Sequence, residues 1–345
     1  MDNIPVYQGK LTAYLDQNIL DIFVKHGLGE FGEMLAREYQ VVYSDETLKE
    51  IKRSVGYENK FLDVLNQLGA FHLKVYLDEH FQPTGKATIT KRDSYQAFHE
   101  YNSNEPVYER IYDSMMMNVQ KVYGGASDST FDDIKDTQIA AYADLHKFIL
   151  KNIEDLKLEF PELAIQLEAQ AEDMKNKLAV AVSENAKLAS QNISDPIGWS
   201  GIKDFREFLN TGPMQLNNIE PPNVIQQIWC ICQKKFPSEM DITLEQFFCL
   251  ESNPIYPSSE FFKYQKVNSI YNMLNMLGYH PDSKVHKERR FIAAISDQSH
   301  ASIATFADML LSRDKSFLKK VEASYEFLGV DTHTFHVEEN THTSV

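Results

Sequence analysis

The strongest limit on the fold comes from very short apolar runs, too brief for helices, near both ends of the chain. Leu11–Leu15 (LTAYL), Gln40–Tyr43 (QVVY), Ala70–Leu77 (AFHLKVYL) and Met309–Ser312 (MLLS) are such runs. Their length and apolar content read as buried strands. Between and after them stand segments with apolar residues three and four apart, the helical spacing. These are NILDIFVKHG, GEFGEMLAREY, DETLKEIKRS and YENKFLDVLNQLGA at the front, and RRFIAAISDQSHASIATFAD and DKSFLKKVEASYEFLG at the back. Ser44 stands where a helix N-cap is wanted, and Gly69 closes the last of the front helices. VDTHTFHV reads as a final alternating strand. Strands alternating with helices imply a parallel α/β sheet.

The middle of the chain breaks that pattern. DEHFQPTGKATITKRDS carries turn residues and a short polar strand, the mark of a hairpin or excursion. Residues 131–192 read as almost wholly helical, rich in Ala, Leu, Glu and Lys and broken by Pro161. Shorter helices punctuated by prolines continue from Gly201 to about Gly278. The expected organisation is therefore one α/β domain in two parts, 1–76 and 285–345, around a mainly helical insertion, 77–284.

Composition narrows the function classes. The net charge of −16 argues against a protein that coats nucleic acid with a positive surface, though a metal-dependent nuclease remains open because its site needs acids. Three cysteines, Cys230, Cys232 and Cys249, form no disulfide framework and suit a reducing compartment. The first ten residues, MDNIPVYQGK, lack a signal-peptide pattern, and no apolar window is long enough for a membrane span, so a cytoplasmic protein is expected. No Gly-rich phosphate loop followed by Lys and no G-x-S-x-G is present.

The chemistry-bearing residues are carboxylates at strand ends. Asp16 follows the first strand directly, and Asp314 lies three residues beyond Leu311. Glu50 comes six residues after Ser44, and Asp297 precedes the helix that leads into MLL. Ligands of open α/β sheets bind outside the carboxyl ends of the strands, so these four acids can converge there. Clustered acids resist common ionisation, and the usual remedy is a hard divalent cation.

The order YLDQNIL, VVYSDETLKEI and SDQSHASIATFADMLLSRDKSF resembles the PIN-domain nucleases, over about residues 9–76 and 286–337. The resemblance implies a PIN-like parallel sheet flanked by helices. It also implies a Mg²⁺ or Mn²⁺ site made by Asp16, Glu50, Asp297 and Asp314, with Asn18 and Ser312 orienting those carboxylates, and hydrolysis of RNA phosphodiester bonds. An endoribonuclease of this kind would serve as a toxin or anti-phage effector, with RNA as the favoured substrate and a second copy or a regulatory protein as partner.

Other readings stay open beside it. One is a catalytically silent PIN-like interaction scaffold, and another is a structure-specific DNA nuclease. Asp16, Asp297 and Asp314 each look like helix caps when taken singly, and Glu50 pairs readily with Arg53. Asp308 is read as a cap or loop holder rather than a ligand. His300, three residues from Asp297, can face the site, whereas His333, His336 and His342 fit strand faces and a tail. Basic clusters at Lys49, Lys52 and Arg53, at Lys287, Arg289 and Arg290, and at Arg313, Lys315, Lys319 and Lys320 can meet phosphates or simply balance acids.

Overall fold

A computed structural model describes residues 7–79, 82–103, 106–193, 196–237, 239–253 and 259–338. Its contacts group the chain into two compact units. The first holds Met1–Ser103, Phe205–Ser283 and Ile292–Val345, and the second holds Asn104–Asp204 and Lys284–Phe291.

Along the chain, β1 (Thr12–Leu15) leads through α1 (Gln17–His26) and α2 (Gly29–Glu38) into β2 (Gln40–Tyr43). From β2, α3 (Asp45–Arg53) and α4 (Glu58–Gln67) lead into β3 (Phe71–Leu77), followed by β4 (Pro83–Lys91) and α5 (Ser94–Asn102). Three long helices come next, α6 (Pro106–Val122), α7 (Phe131–Glu154) and α8 (Pro161–Asn192). Then follow α9 (Gly201–Leu209), α10 (Pro213–Leu216), α11 (Val224–Cys232), α12 (Leu244–Phe247) and α13 (Lys263–Leu277). The chain closes with α14 (Glu288–Ile303), β5 (Met309–Ser312), α15 (Lys315–Leu328) and β6 (His333–His336).

The six strands form one sheet in the order β4-β3-β2-β1-β5-β6. Pairings β1–β2, β1–β5, β2–β3 and β5–β6 are parallel, and β3–β4 is antiparallel. The sheet is thus α/β and mostly parallel. The exception has a simple cause: only five residues, 78–82, separate β3 from β4, and a parallel neighbour would need a crossover of a dozen residues or more. Strand β1 is central. The chain winds to one side of it through β2 and β3, and after the long middle segment it returns to the other side through β5. That reversal makes the β1/β5 border the topological switch point, where the carboxyl ends of two strands open a crevice.

Alternation sorts the core onto the two faces of the sheet. Ala13, Leu15, Val41, Tyr43, Met309 and Leu311 pack with Ile19, Leu20, Phe23, Leu35, Leu48, Ile51 and Leu62 from α1 to α4. Tyr14, Val42, Leu73 and Leu310 face the other way, onto Val267 and Tyr271 of α13, Ala301 of α14 and Phe317, Leu318 and Val321 of α15. Ser44 caps α3 with a reciprocal bond to Thr47, as its position in the sequence implies. Gly329 ends α15 at φ 60, a left-handed conformation that glycine takes without steric cost.

In the second unit α7 packs against both α6 and α8. Thr130 and Asp133 form a capping box at the start of α7, and Pro161 opens α8 at its first turn, where the missing N–H costs nothing. The buried stripe is narrow and small, with Ile134, Ala141, Ala164, Ala171 and Ala186 among its members. Lys157 bridges Glu154 at 2.7 Å and Glu168 at 2.8 Å across the α7–α8 turn. Among the described residues no helix is long and apolar enough to cross a membrane.

Candidate metal centre

Parallel register places Leu15 beside Leu311, so the residues that follow them meet outside the sheet. The backbone N–H of Asp16 donates to the Leu311 carbonyl at 3.0 Å. Asp16 stands at the N-cap of α1, yet its carboxylate makes no capping bond. Instead its Oδ2 accepts from Asn18 Nδ2 and from Ser312 Oγ, each at 2.5 Å. Asn18 Nδ2 also reaches Ser312 Oγ at 3.0 Å, and Asn18 Oδ1 accepts from the Arg313 amide at 3.0 Å. The cap reading of Asp16 therefore gives way to a carboxylate turned towards β5.

Glu50 enters from α3. His300 Nε2 donates to Glu50 Oε2 at 2.9 Å, and Arg53 Nη2 donates to Glu50 Oε1 at 3.3 Å. The same Arg53 nitrogen donates to Ser296 Oγ at 2.8 Å, and Ser296 donates to Glu46 Oε1 at 2.6 Å, which ties α3 to α14. His300 is fully buried, and its Nδ1 lies 2.7 Å from the Tyr14 hydroxyl, which lies 2.6 Å from Ser44 Oγ. Because a carboxylate only accepts, Nε2 carries the proton. Both ring nitrogens are thus engaged, and the imidazole holds Glu50 in place. Ligand atoms of Asp16, Glu50 and His300 lie within 4.8 Å of one another.

Asp297 lies within α14 rather than ahead of it, one helical turn before His300. Burial first, and then the charges of Asp16, Asp282 and Glu50, push its carboxyl well above the usual range, against the pull of Lys320. Asp16 is raised as well, by burial and by Glu50, with His300 and Ser312 opposing. Burial would also raise Glu50, but His300 and Arg53 outweigh it and hold the group low. Burial works against a charged His300, yet Tyr14, Glu50 and Asp16 together lift it well above 6.5. The acids therefore lack enough positive charge of their own to ionise together.

Asp314 is exposed and caps α15, accepting from the Phe317 amide at 3.0 Å. Its own amide donates to Ser312 Oγ at 3.0 Å, which places it at the rim beside the Asp16–Ser312 pair. A groove of about 460 Å³ opens there, lined by Asn18, Arg313, Asp314, Lys315, Ser316 and His336. Asp308 sits at the opposite end of the sheet. It accepts from the Thr12 amide at 2.7 Å and from the Thr12 hydroxyl at 2.8 Å, and so joins the starts of β1 and β5. His342 lies outside the described residues.

Sequence reasoning missed Asp282, Lys320 and Tyr271. Lys320, grouped by sequence with surface cations, is fully buried on α15 with Nζ 2.6 Å from Asp282 Oδ1. Its cue is present in the sequence: it shares a helix face with Phe317 and Ser324, both buried. The hydroxyl of Tyr271 is buried without a hydrogen-bond partner among the described residues. Asp282, Asp297, Asp314 and Asp16, after burial itself, hold that phenol protonated. The oxygens of Asp16 and Glu50, gathered within 4.8 Å of His300, form a donor set that fits a Mg²⁺ or Mn²⁺ ion. Comparison with known proteins adds no relative: no family model, no curated protein and no solved structure matches the chain.

Proposed function

We propose that the chain is a metal-dependent endoribonuclease with a PIN-like fold. A single observation carries the reading: Asp16 and Glu50 from the front of the chain bring ligand atoms within 4.8 Å of one another and of His300 from its end, and the charges of both acids weigh on Asp297, one turn before that histidine. A cluster of that composition at the switch point is a poor way to stabilise a fold and a good way to hold a divalent ion. Asp16, Glu50 and Asp297 would hold the ion, with Asp314 at the rim. Bound there, the ion supplies Lewis-acid activation of a water and neutralises charge at phosphorus.

The chain's own residues do the rest. Asn18 and Ser312 fix the Asp16 carboxylate by hydrogen bonds, and His300 with Arg53 fixes Glu50. Arg313 and Lys315 line the groove at the rim with His336, and phosphates on an incoming strand would compete there with Glu338, which Lys315 bridges at 3.2 Å. Such local contacts fit a chain of net charge −16, whose overall field repels a nucleic acid. Lys319 and Lys320 are spoken for, by Glu220 and Asp282. The exposed Leu158, Phe160, Leu163 and Ile165 around the α7–α8 turn suit contact with a second copy or a regulatory protein. A cytoplasmic effector held in check until needed fits these features.

The test is incubation of the purified chain with RNA and DNA hairpins, with and without Mg²⁺ or Mn²⁺. Metal-dependent internal cleavage of RNA, lost in Asp16→Asn, is expected. Cleavage of DNA alone would make it a DNA nuclease. No cleavage of either, together with no Mn²⁺ binding, would leave an interaction scaffold.

A further inference from the structure

A run of four hydrogen-bonded side chains joins β1, α3 and α14. Ser44 Oγ lies 2.6 Å from the Tyr14 hydroxyl, which lies 2.7 Å from His300 Nδ1, and His300 Nε2 lies 2.9 Å from Glu50 Oε2. Tyr14 and His300 are 0% exposed and Ser44 is 2% exposed. Histidines that bind metal ions are held in this way: an outer partner fixes one ring nitrogen, which sets the orientation of the ring, and the other nitrogen meets the ion. Tyr14, backed by Ser44, is such an outer partner.

The acids leave room for that second role. Glu50 does not depend on the imidazole alone, because Arg53 Nη2 donates to its Oε1 at 3.3 Å. Asn18 and Ser312 both donate to Oδ2 of Asp16, so Oδ1 takes neither bond. The spacing fits as well. Side-by-side ligand atoms on an octahedral ion with bonds of about 2.1 Å stand about 3 Å apart. His300 Nε2 and Glu50 Oε2 stand 2.9 Å apart, and the ligand atoms of Asp16, Glu50 and His300 all lie within 4.8 Å of one another.

We propose that His300 is a direct ligand of the ion, through Nε2, and that it biases the site towards first-row transition ions over Mg²⁺. The inference rests on the metal reading above and adds a nitrogen to its ligand set. As the ion bonds, it takes the place of the Nε2 proton, which passes to solvent. Glu50 Oε2 loses that donor and turns to the ion, while Arg53 keeps Oε1. The neutral ring then carries its one proton on Nδ1 and donates it to the Tyr14 oxygen, whose own proton goes to Ser44 Oγ. Every hydroxyl of the run keeps a partner. Carboxylate oxygens alone suit Mg²⁺, whereas an imidazole nitrogen favours the later first-row ions, so the nitrogen adds more to Co²⁺ binding than to Mg²⁺ binding.

The test uses the full-length chain loaded with Mn²⁺ and read by electron spin echo envelope modulation, in which a directly bonded imidazole gives a nitrogen coupling. The coupling is expected in the wild type and absent in His300→Gln. Equilibrium dialysis gives a second readout. In His300→Gln, Mg²⁺ affinity is expected to fall about tenfold, as Glu50 loses an orienting partner, and Co²⁺ affinity about 100-fold or more, as the ion loses a ligand too. Mn²⁺ bound to the wild type without nitrogen coupling, coupling that persists in His300→Gln, or equal falls for the two ions would each overturn the inference and leave the carboxylate site standing. No ion bound to the wild type would remove the site and the inference together. If His300→Gln does not fold, crystals of the wild-type chain grown with Mn²⁺ decide. An anomalous peak about 2.1 Å from Nε2 is expected, and a peak on the carboxylates with Nε2 still bonded to Glu50 would overturn the inference.

Discussion

Ser312 Oγ donates to Asp16 Oδ2 at 2.5 Å, although 296 positions separate the two residues. The bond exists because β1 and β5 are parallel neighbours and each ends at that level. It defines the orientation of Asp16, since Asn18 donates to the same oxygen and leaves Oδ1 without either bond. Ser312→Ala is expected to leave the fold intact, at a cost of about 1–2 kcal/mol for one hydrogen bond to a buried carboxylate. Mg²⁺ or Mn²⁺ affinity should fall about 10- to 100-fold, as it does when a ligand loses its orienting partner. Calorimetric titration checks this, and full affinity in the variant would contradict it.

His300 joins Tyr14 to Glu50, so removing the ring leaves a cavity and two unsatisfied groups. We expect His300→Ala to cost about 2–4 kcal/mol in unfolding free energy. Tyr14→Phe, which removes the hydroxyl's bonds to His300 and Ser44 but opens no cavity and leaves the Glu50 contact, should cost about 1–2 kcal/mol. Denaturant unfolding separates the two, and equal costs would show that the Glu50 contact contributes nothing.

Proton uptake gives a third prediction. Asp16 and Asp297 are raised above 3.8, so the folded chain binds protons that the unfolded chain has released. Stability of the metal-free protein must then rise as pH falls from neutral. His300 has the same sign: its contribution is complete below 6.5 and is lost as pH rises through its higher folded value. Glu50 runs the other way, contributing above 4.5 and losing that contribution as pH falls through its lowered value. Without metal, the melting temperature should be higher near about pH 6 than near about pH 8, and excess Mg²⁺ should shrink the difference because it competes with those protons. A metal-free protein that is more stable at the higher pH would contradict the assignment.

Asp308 supplies a control at the far end of the sheet. Asp308→Ala removes an acceptor from the Thr12 amide and hydroxyl and should cost about 1 kcal/mol. Mn²⁺ binding should not change. A large loss of metal affinity would mean that the two ends of the sheet are coupled.

The strands were legible in the sequence because they are short, apolar and closed by capping residues; QVVY followed by Ser44 is the clearest example. A part for Ser312 at the carboxylates came only from the resemblance; its bond to Asp16 follows from the parallel pairing of β1 with β5. The antiparallel turn of β4 was visible only as a polar excursion, because its pairing depends on the shortness of the connection. Asp297 was set ahead of a helix although RRFIAAISDQSHASIATFAD reads as helical from its start, and α14 does begin before it, at Glu288. The burial of Lys320 was signalled only by the helix face it shares with Phe317 and Ser324. A lysine on a helix reads as surface, and only a partner from a distant loop, Asp282, makes burial tolerable. Helices α10 to α13 read as part of the insertion, while their contacts group them, with α9 from Phe205 on, in the sheet-bearing unit; Ile270, Leu274 and Leu277 pack in a cluster that includes Ala323 of α15. Long-range packing of this kind leaves no periodic trace.

The most direct measurement is anomalous diffraction from crystals grown with Mn²⁺. The account predicts a peak bounded by the carboxylates of Asp16, Glu50 and Asp297. Mn²⁺ bound elsewhere while those three acids stay without a ligand would contradict it.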